Sequence, residues 1–178
     1  MKFVDISKCG FILEPRYYFF GWTKSSKILG RESAVRALVR ARKFLPKGFN
    51  FKIWDCQRPR AVQIAMINSF KRRFKISYPK YSNKKIEKLV FDFAAKPLIK
   101  VIRLGTHRNG GSFDLTIINK NGNELYMGTD HDDLTEKAAT DYFENKNKLN
   151  YFEKEAKKNR RLLKKIMLRV GFINYSRE

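Results

Sequence analysis

The stretch Gly105-Thr106-His107-Arg108-Asn109-Gly110-Gly111-Ser112-Phe113-Asp114-Leu115-Thr116 decides how the rest of the chain is read. From Ser112 to Ile118 apolar and polar residues alternate as in a β-strand, with Phe113, Leu115 and Ile117 on one face and Asp114 and Thr116 on the other. Such a strand buries its apolar face and leaves Asp114 facing a cleft. Gly110 and Gly111 free the backbone to fold back, so His107 and Asp114 can converge. An imidazole and a carboxylate aimed at one point form part of a metal site. On these residues alone, a strand preceded by a polar loop is the favoured reading.

Upstream, Phe49-Asn50-Phe51-Lys52-Ile53-Trp54-Asp55 alternates as a second strand, with Phe49, Phe51 and Ile53 inward. It runs into Asp55-Cys56-Gln57-Arg58-Pro59, a loop that displays an arginine. Before it, Val35, Leu38, Val39 and Leu45 share one face of a helix over 32–45, which Pro46 and Gly48 stop. After it, Pro59 suits the first turn of a helix reaching about Phe74, followed by the basic run Lys71-Arg72-Arg73 and Lys75. A shorter helix is predicted over 83–93, and residues 2–22 read as extended segments.

Downstream, Asn119-Lys120-Asn121-Gly122-Asn123 signals a hairpin whose second strand returns over 124–127. An acidic loop follows, Met127-Gly128-Thr129-Asp130-His131-Asp132-Asp133. The longest helix is expected over 147–170, with Phe152, Ala156, Leu163, Ile166, Met167 and Val170 inward and Lys157, Lys158, Arg160, Arg161, Lys164 and Lys165 outward. Gly171 caps it, and Phe172 begins a final strand.

The chain has 178 residues, enough for one domain with a sizeable core, and no linker or repeat divides residues 1–178. Fifteen Phe, eight Tyr and two Trp argue against disorder. Lys and Arg number 39 against 17 Asp and Glu, a formal charge of +22, which brings anionic partners into consideration. Nucleic acid, an anionic membrane or a cell-wall polymer would serve, as would a lysine-rich codon bias with no partner at all. Cys9 and Cys56 make no CxxC pattern, which argues against a disulfide scaffold or zinc finger. No apolar run resembles a signal peptide or approaches the ~18 residues of a membrane span, so a cytoplasmic protein is expected.

Several separated motifs now fall in one order: Ile53-Trp54-Asp55-Cys56-Gln57-Arg58-Pro59, then His107 through Thr116, then Met127-Gly128-Thr129-Asp130-His131-Asp132, then Asn159-Arg160-Arg161-Leu162-Leu163 and Gly171-Phe172-Ile173-Asn174-Tyr175-Ser176-Arg177-Glu178. Together they resemble the zinc D-alanyl-D-alanine dipeptidases, the vancomycin-resistance type included. That family's pattern is Trp-Asp-x-Tyr-Arg-Pro, His-x-x-Gly-x-x-x-Asp-x-Thr, Met-Gly-x-x-Phe-Asp and a closing Glu-Trp-Trp-His. The resemblance implies an α+β fold with helices packed on a small, mainly antiparallel sheet (hedgehog-like), one Zn2+ ion, and hydrolysis of D-alanyl-D-alanine or a related dipeptide in peptidoglycan metabolism. It assigns His107 and Asp114 as metal ligands, Glu178 as the base, Arg58 as the oxyanion partner and Asp132 as the anchor of the substrate's amino group. A zinc ion held by three protein groups lowers the pKa of a water molecule to near ~7.

The departures set further expectations. The family's third ligand is a histidine three residues past the glutamate, beyond residue 178, so a weakly held ion and little or no dipeptidase activity are expected of the chain as written. Gln57 stands for the usual tyrosine, Asn109 for an arginine, and His131 for a phenylalanine; the family's Asn-Phe pair is absent near Tyr17 and Trp22. Arg58, taken alone, would read as a surface ion-pair residue, and its flanking motif favours the oxyanion role. Asp132 reads equally as a turn residue. His131 reads first as a solvent-exposed loop histidine and second as a substitute ligand. Cys56 reads as a small core filler, and Glu178 as a residue prone to fraying. The basic face of the last helix reads as solvated surface. The alternative function is a strongly basic, inactive binding protein for nucleic acid or another polyanion on a dipeptidase scaffold.

Overall fold

The computed structural model describes residues 1–97 and 105–175. Its centre is a three-stranded sheet of β2 (Ile12–Leu13), β4 (Asn50–Asp55) and β5 (Asp114–Ile118), in the order β2-β4-β5. β2 runs parallel to β4, and β5 antiparallel to it. A separate antiparallel pair joins β1 (Phe3–Asp5) to β3 (Leu29–Arg31). The helices are α1 (Arg16–Phe19), α2 (Glu32–Arg42), α3 (Arg60–Ser77), α4 (Asn83–Phe93) and α5 (Tyr151–Arg169). The architecture is α+β, as expected. Among the described residues no helix is long and apolar enough to cross a membrane.

Two apolar clusters hold these elements. One is built on the sheet, where Phe51, Ile53 and Ile117 meet Val35, Leu38 and Ala41 of α2 and Ile166 of α5. α2 turns that face inward because its small and branched residues recur at helical spacing, while Glu32 in its first turn and Arg40 and Arg42 in its last suit the helix dipole. The second cluster lies inside the α3–α4 pair, where Val62, Met66, Ile67, Phe70 and Phe74 pack on Ile86 and Val90. Ser82 caps α4, its side chain accepting from the Lys85 amide at 3.3 Å. Burying a side chain of this size contributes ~1.5–3 kcal/mol, so each cluster gives its own elements a reason to assemble.

One irregularity governs the functional end of the sheet. Phe51 pairs with Ile117 and Ile53 with Leu115, but the register then shifts so that Asp55 pairs with Asp114. Trp54 is the extra residue of this bulge. Because strand faces alternate, an unbroken ladder would set Asp55 and Asp114 on opposite faces; the bulge puts both carboxylates on one.

Several expectations change here. The predicted strand over 124–127 reduces to a single bridge between Ile118 and Glu124 and a bond from the Leu125 amide to Ile117 O. The next carbonyls are taken instead by α5, where Asn159 Nδ2 donates to Tyr126 O at 3.0 Å and Arg160 Nε donates to Met127 O at 2.7 Å. Arg160 is therefore not on the solvated face; it also donates to Ala139 O and Lys137 O. Phe152, expected inward, is 64% exposed. α5 starts at Tyr151 because Asn150 caps it and Glu153 reaches back to the Asn150 amide. Phe172 begins no strand: after Gly171 at φ +92° its ring meets Phe113 edge-on at 5.7 Å. The helix over 32–45 ends at Arg42, and the segment 2–22 holds the 3-10 helix Ile6–Cys9 and the short helix α1 besides short strands.

Candidate metal centre

β4, the loop after it and the start of β5 carry the charged groups to one place. Asp55 ends β4 on the face of Phe51 and Ile53, so its carboxylate enters a buried environment that demands partners. Arg58 supplies them: its Nε donates to Asp55 Oδ2 at 2.8 Å and its Nη2 to Asp114 Oδ2 at 2.5 Å. Nη1 donates to Gln63 Oε1 at 3.0 Å, and the guanidinium lies 4.8 Å from the Tyr17 ring. Arg58 is 6% exposed, so the surface ion pair is excluded. Burial opposes its charge, but Asp114 and Asp55 outweigh that and hold its pKa above the ordinary value.

His107 lies in a 3-10 turn, His107–Asn109, that Gly110 ends at φ +63°. Only glycine fits there, since a Cβ would stand 2.7 Å from Arg31 N and 2.8 Å from the Phe3 ring. The Arg58 amide donates to His107 O at 2.9 Å, tying the turn to the loop after β4. His107 Nδ1 lies 2.9 Å from Cys56 O and 3.2 Å from Asp55 Oδ2, both acceptors, so the proton belongs on Nδ1. Nε2 then faces Asp114 Oδ1 at 3.1 Å. The fold-back of the glycine turn thus brings His107 and Asp114 together.

Asp55, His107 and Asp114 each offer one ligand-type atom within 4.8 Å of the others. Burial lowers the pKa of His107, but the charge of Asp114 prevails and raises it to about 10. For Asp114, burial favours the neutral acid, while His107 and Arg58 hold the carboxyl well below its usual range. Asp55 was read from sequence as the end of a strand and as part of the motif around Arg58, not as a member of the metal cluster; the missed signal was an acid continuing the parity of two core residues. Tyr17 was missed as well: it is 3% exposed and its hydroxyl lies 3.5 Å from Asp114 Oδ2.

The acidic loop closes the other side. His131 is not a solvent-exposed loop residue: its side chain is 6% exposed, its ring 4.6 Å from Trp54 and 6.1 Å from Tyr17. Solvation loses here because two aromatic rings form a slot that an imidazole fills. Asp132 has φ 58°, the left-handed region, and Arg73 Nη1 donates to its carbonyl at 3.0 Å. Its carboxyl pKa is raised by burial. Cys56 is buried in the sheet cluster, its Sγ 3.6 Å from Gly110 O. Glu178 lies outside the described residues.

The donor set fits zinc. An imidazole whose Nδ1 is held by a backbone carbonyl and a carboxylate, with Nε2 directed at a second carboxylate, is the arrangement of a metal-binding histidine with its outer partners. The sequence model of one protein family, described as D-ala-D-ala dipeptidase, matches residues 20–178. No curated protein matches the chain.

Proposed function

Since the chain belongs to the D-ala-D-ala dipeptidase family, a family of zinc-dependent peptidases, we propose that it hydrolyses D-alanyl-D-alanine or a related dipeptide of peptidoglycan metabolism. The observation that carries this reading is the meeting of His107 Nε2 and Asp114 Oδ1 at 3.1 Å beside a buried arginine. His107 and Asp114 would hold the ion, with Asp55 fixing the His107 ring from behind. Bound there, zinc would supply Lewis-acid activation of water and of the peptide carbonyl. Arg58, whose permanent charge sits next to Asp114, would stabilise negative charge developing on a substrate oxygen. Asp132 would take the free amino end, and Glu178, by the family pattern, would move the proton to the leaving amine.

The test is zinc content and D-alanyl-D-alanine hydrolysis by residues 1–178 and by the same chain carrying Trp-Trp-His after Glu178. Activity confined to the extended chain would assign the third ligand to that extension. Activity in neither, with zinc supplied, discards the reading.

A second reading, a polyanion site, is favoured by one hollow on α3 and α4. Lys71, Arg72, Lys75 and Lys84 line it, and Glu87 is the one acid among its lining residues. Nucleic-acid binding there should weaken by orders of magnitude between ~50 and ~200 mM salt. Absence of binding at the lower salt removes it.

A further inference from the structure

The turn that joins α3 to α4 holds apolar groups in solvent among cations. Ile76, in the last turn of α3, is 81% exposed, Tyr78 is 42% exposed, and Pro79 follows them at the surface. Between residues 71 and 88 Glu87 is the one acid, and Lys71 already holds it at 2.8 Å. Arg72, Lys75, Lys80 and Lys84 are exposed and make no ion pair among the described residues. Ile76 stands four residues after Arg72, on the same stripe of α3, and Arg72, Lys75 and Lys84 line the hollow between the two helices. Isolated apolar residues are common on soluble surfaces; the uncompensated charge around this one sets it apart. The turn is also preformed. Phe74, Ile86 and Val90 fill the core between α3 and α4, Lys75 Nζ donates to Tyr81 O at 2.7 Å, and Ser82 caps α4.

Two anionic partners suit such charge, a nucleic acid and a bilayer, and the aromatic rings decide between them. Tyr78 stacks on Tyr81 at 4.9 Å, Phe74 lies near-parallel to Tyr78 at 6.3 Å, and Lys85 Nζ sits over the Tyr81 ring at 3.6 Å. The ring faces that a single strand needs for its bases are thus taken within the protein. Duplex phosphates would engage the cations and leave Ile76 unused. An anionic bilayer engages both, because Lys and Arg meet the headgroups while an aliphatic side chain and a tyrosine enter the interface. We propose that the α3–α4 turn docks the protein on anionic membranes, with Ile76 and Tyr78 in the interfacial layer and Arg72, Lys75, Lys80 and Lys84 on lipid phosphates. The proposal rests on the reading of the α3–α4 hollow as a polyanion site and is independent of the chemistry at the metal centre. A protein docked in this way lies on the bilayer without spanning it.

The test is co-sedimentation of the 178-residue chain, supplied with zinc, with vesicles of phosphatidylcholine alone and with ~30% phosphatidylglycerol, in ~0.1 and ~0.3 M salt. The expected result is ~10-fold or greater preference for the anionic vesicles at the lower salt. Lys80→Glu with Lys84→Glu should reduce that binding ~10-fold or more, whereas Lys164→Glu with Lys165→Glu on α5, an equal change of net charge, should reduce it ~3-fold or less. Ile76→Ser should lose ~5-fold at both salts, and Ile76→Trp should bind at least as well as the parent, its added emission moving to the blue on vesicles. Circular dichroism and urea midpoints identify a variant that fails to fold, and Ile76→Trp then carries the comparison. Equal losses in the two charge variants, or no effect of Ile76→Ser, overturn the docking turn. Binding of single-stranded or duplex oligonucleotides without binding of vesicles overturns it while leaving the polyanion hollow intact. Binding of neither overturns both.

Discussion

Arg58 and Arg161 hold carboxylates at almost the same distances in opposite surroundings. Arg58 reaches Asp55 and Asp114 at 2.8 and 2.5 Å with 7% of its side chain exposed. Arg161 grips both oxygens of Glu144 at 2.7 and 2.6 Å with 64% exposed, and Lys157 joins from 3.1 Å. Hydrogen-bond geometry is equally good in both. The difference is the medium: water solvates Glu144 if Arg161 leaves, whereas the buried Asp55 and Asp114, if Arg58 leaves, share the single imidazole of His107 as their cation. The outer cluster is a local fastening of α5 to the loop before it. The inner cluster is an obligation that the fold must meet with a guanidinium, an imidazole or a metal ion.

The largest expected effect follows from removing the inner cation. Arg58→Met keeps the side-chain length but leaves two buried carboxylates to one imidazole, stranding one negative charge, and should cost ~3–5 kcal/mol in urea unfolding with a chelator present. Adding Asp114→Asn to that variant should recover a substantial part, because the cost lies in the stranded charge. An Arg58→Met protein with an unchanged midpoint would erase the contrast between the clusters.

A second effect concerns the imidazole. Asp55→Asn leaves His107 and Asp114 in place but weakens the grip on His107 Nδ1, and should lower zinc affinity ~10–100-fold by competition with a chelator. The same cluster sets a pH dependence. The pKa of His107 is raised from 6.5 to about 10, so its contribution to stability is whole below ~6.5 and is lost as pH rises through about 10. With a chelator present the urea midpoint should decline across that window, while apparent zinc affinity climbs as the competing proton leaves. A flat midpoint there would mean that the His107–Asp114 pair contributes nothing.

The smallest effect belongs to the surface. Glu144→Gln should cost ~1 kcal/mol or less and become undetectable near ~1 M salt. Hydrogen bonding from Arg161 depresses the Glu144 pKa to about 2, so its contribution is present above ~4.5 and lost as pH falls through about 2. A cost of several kcal/mol, or no response to salt, would place the two clusters in one class.

Much of this arrangement was legible along the chain. The 83–93 helix, the core face of β4, the glycine fold-back at Gly110 and the pairing of His107 with Asp114 all follow from local rules: helical or alternating spacing, and positive φ at glycine. The misread features are nonlocal. The 124–127 segment carries a strand-like pattern, but Asn159 and Arg160, more than thirty positions away, capture its carbonyls. His131 has the sequence surroundings of an exposed loop, and its burial depends on Trp54 and Tyr17 arriving from other elements.

The sequence by itself determined where the candidate residues stand in their local elements, because an arginine before Pro59, a histidine before a glycine turn and an aspartate opening a strand are fixed by local order. It also determined that Phe51, Ile53 and Ile117 would be buried, since strand faces alternate and water rejects their apolar surface. Only the tertiary structure decided that Asp55 and Asp114 would share a face. Strict alternation separates them, and the bulge at Trp54 rejoins them, a register shift that exists only between two paired strands.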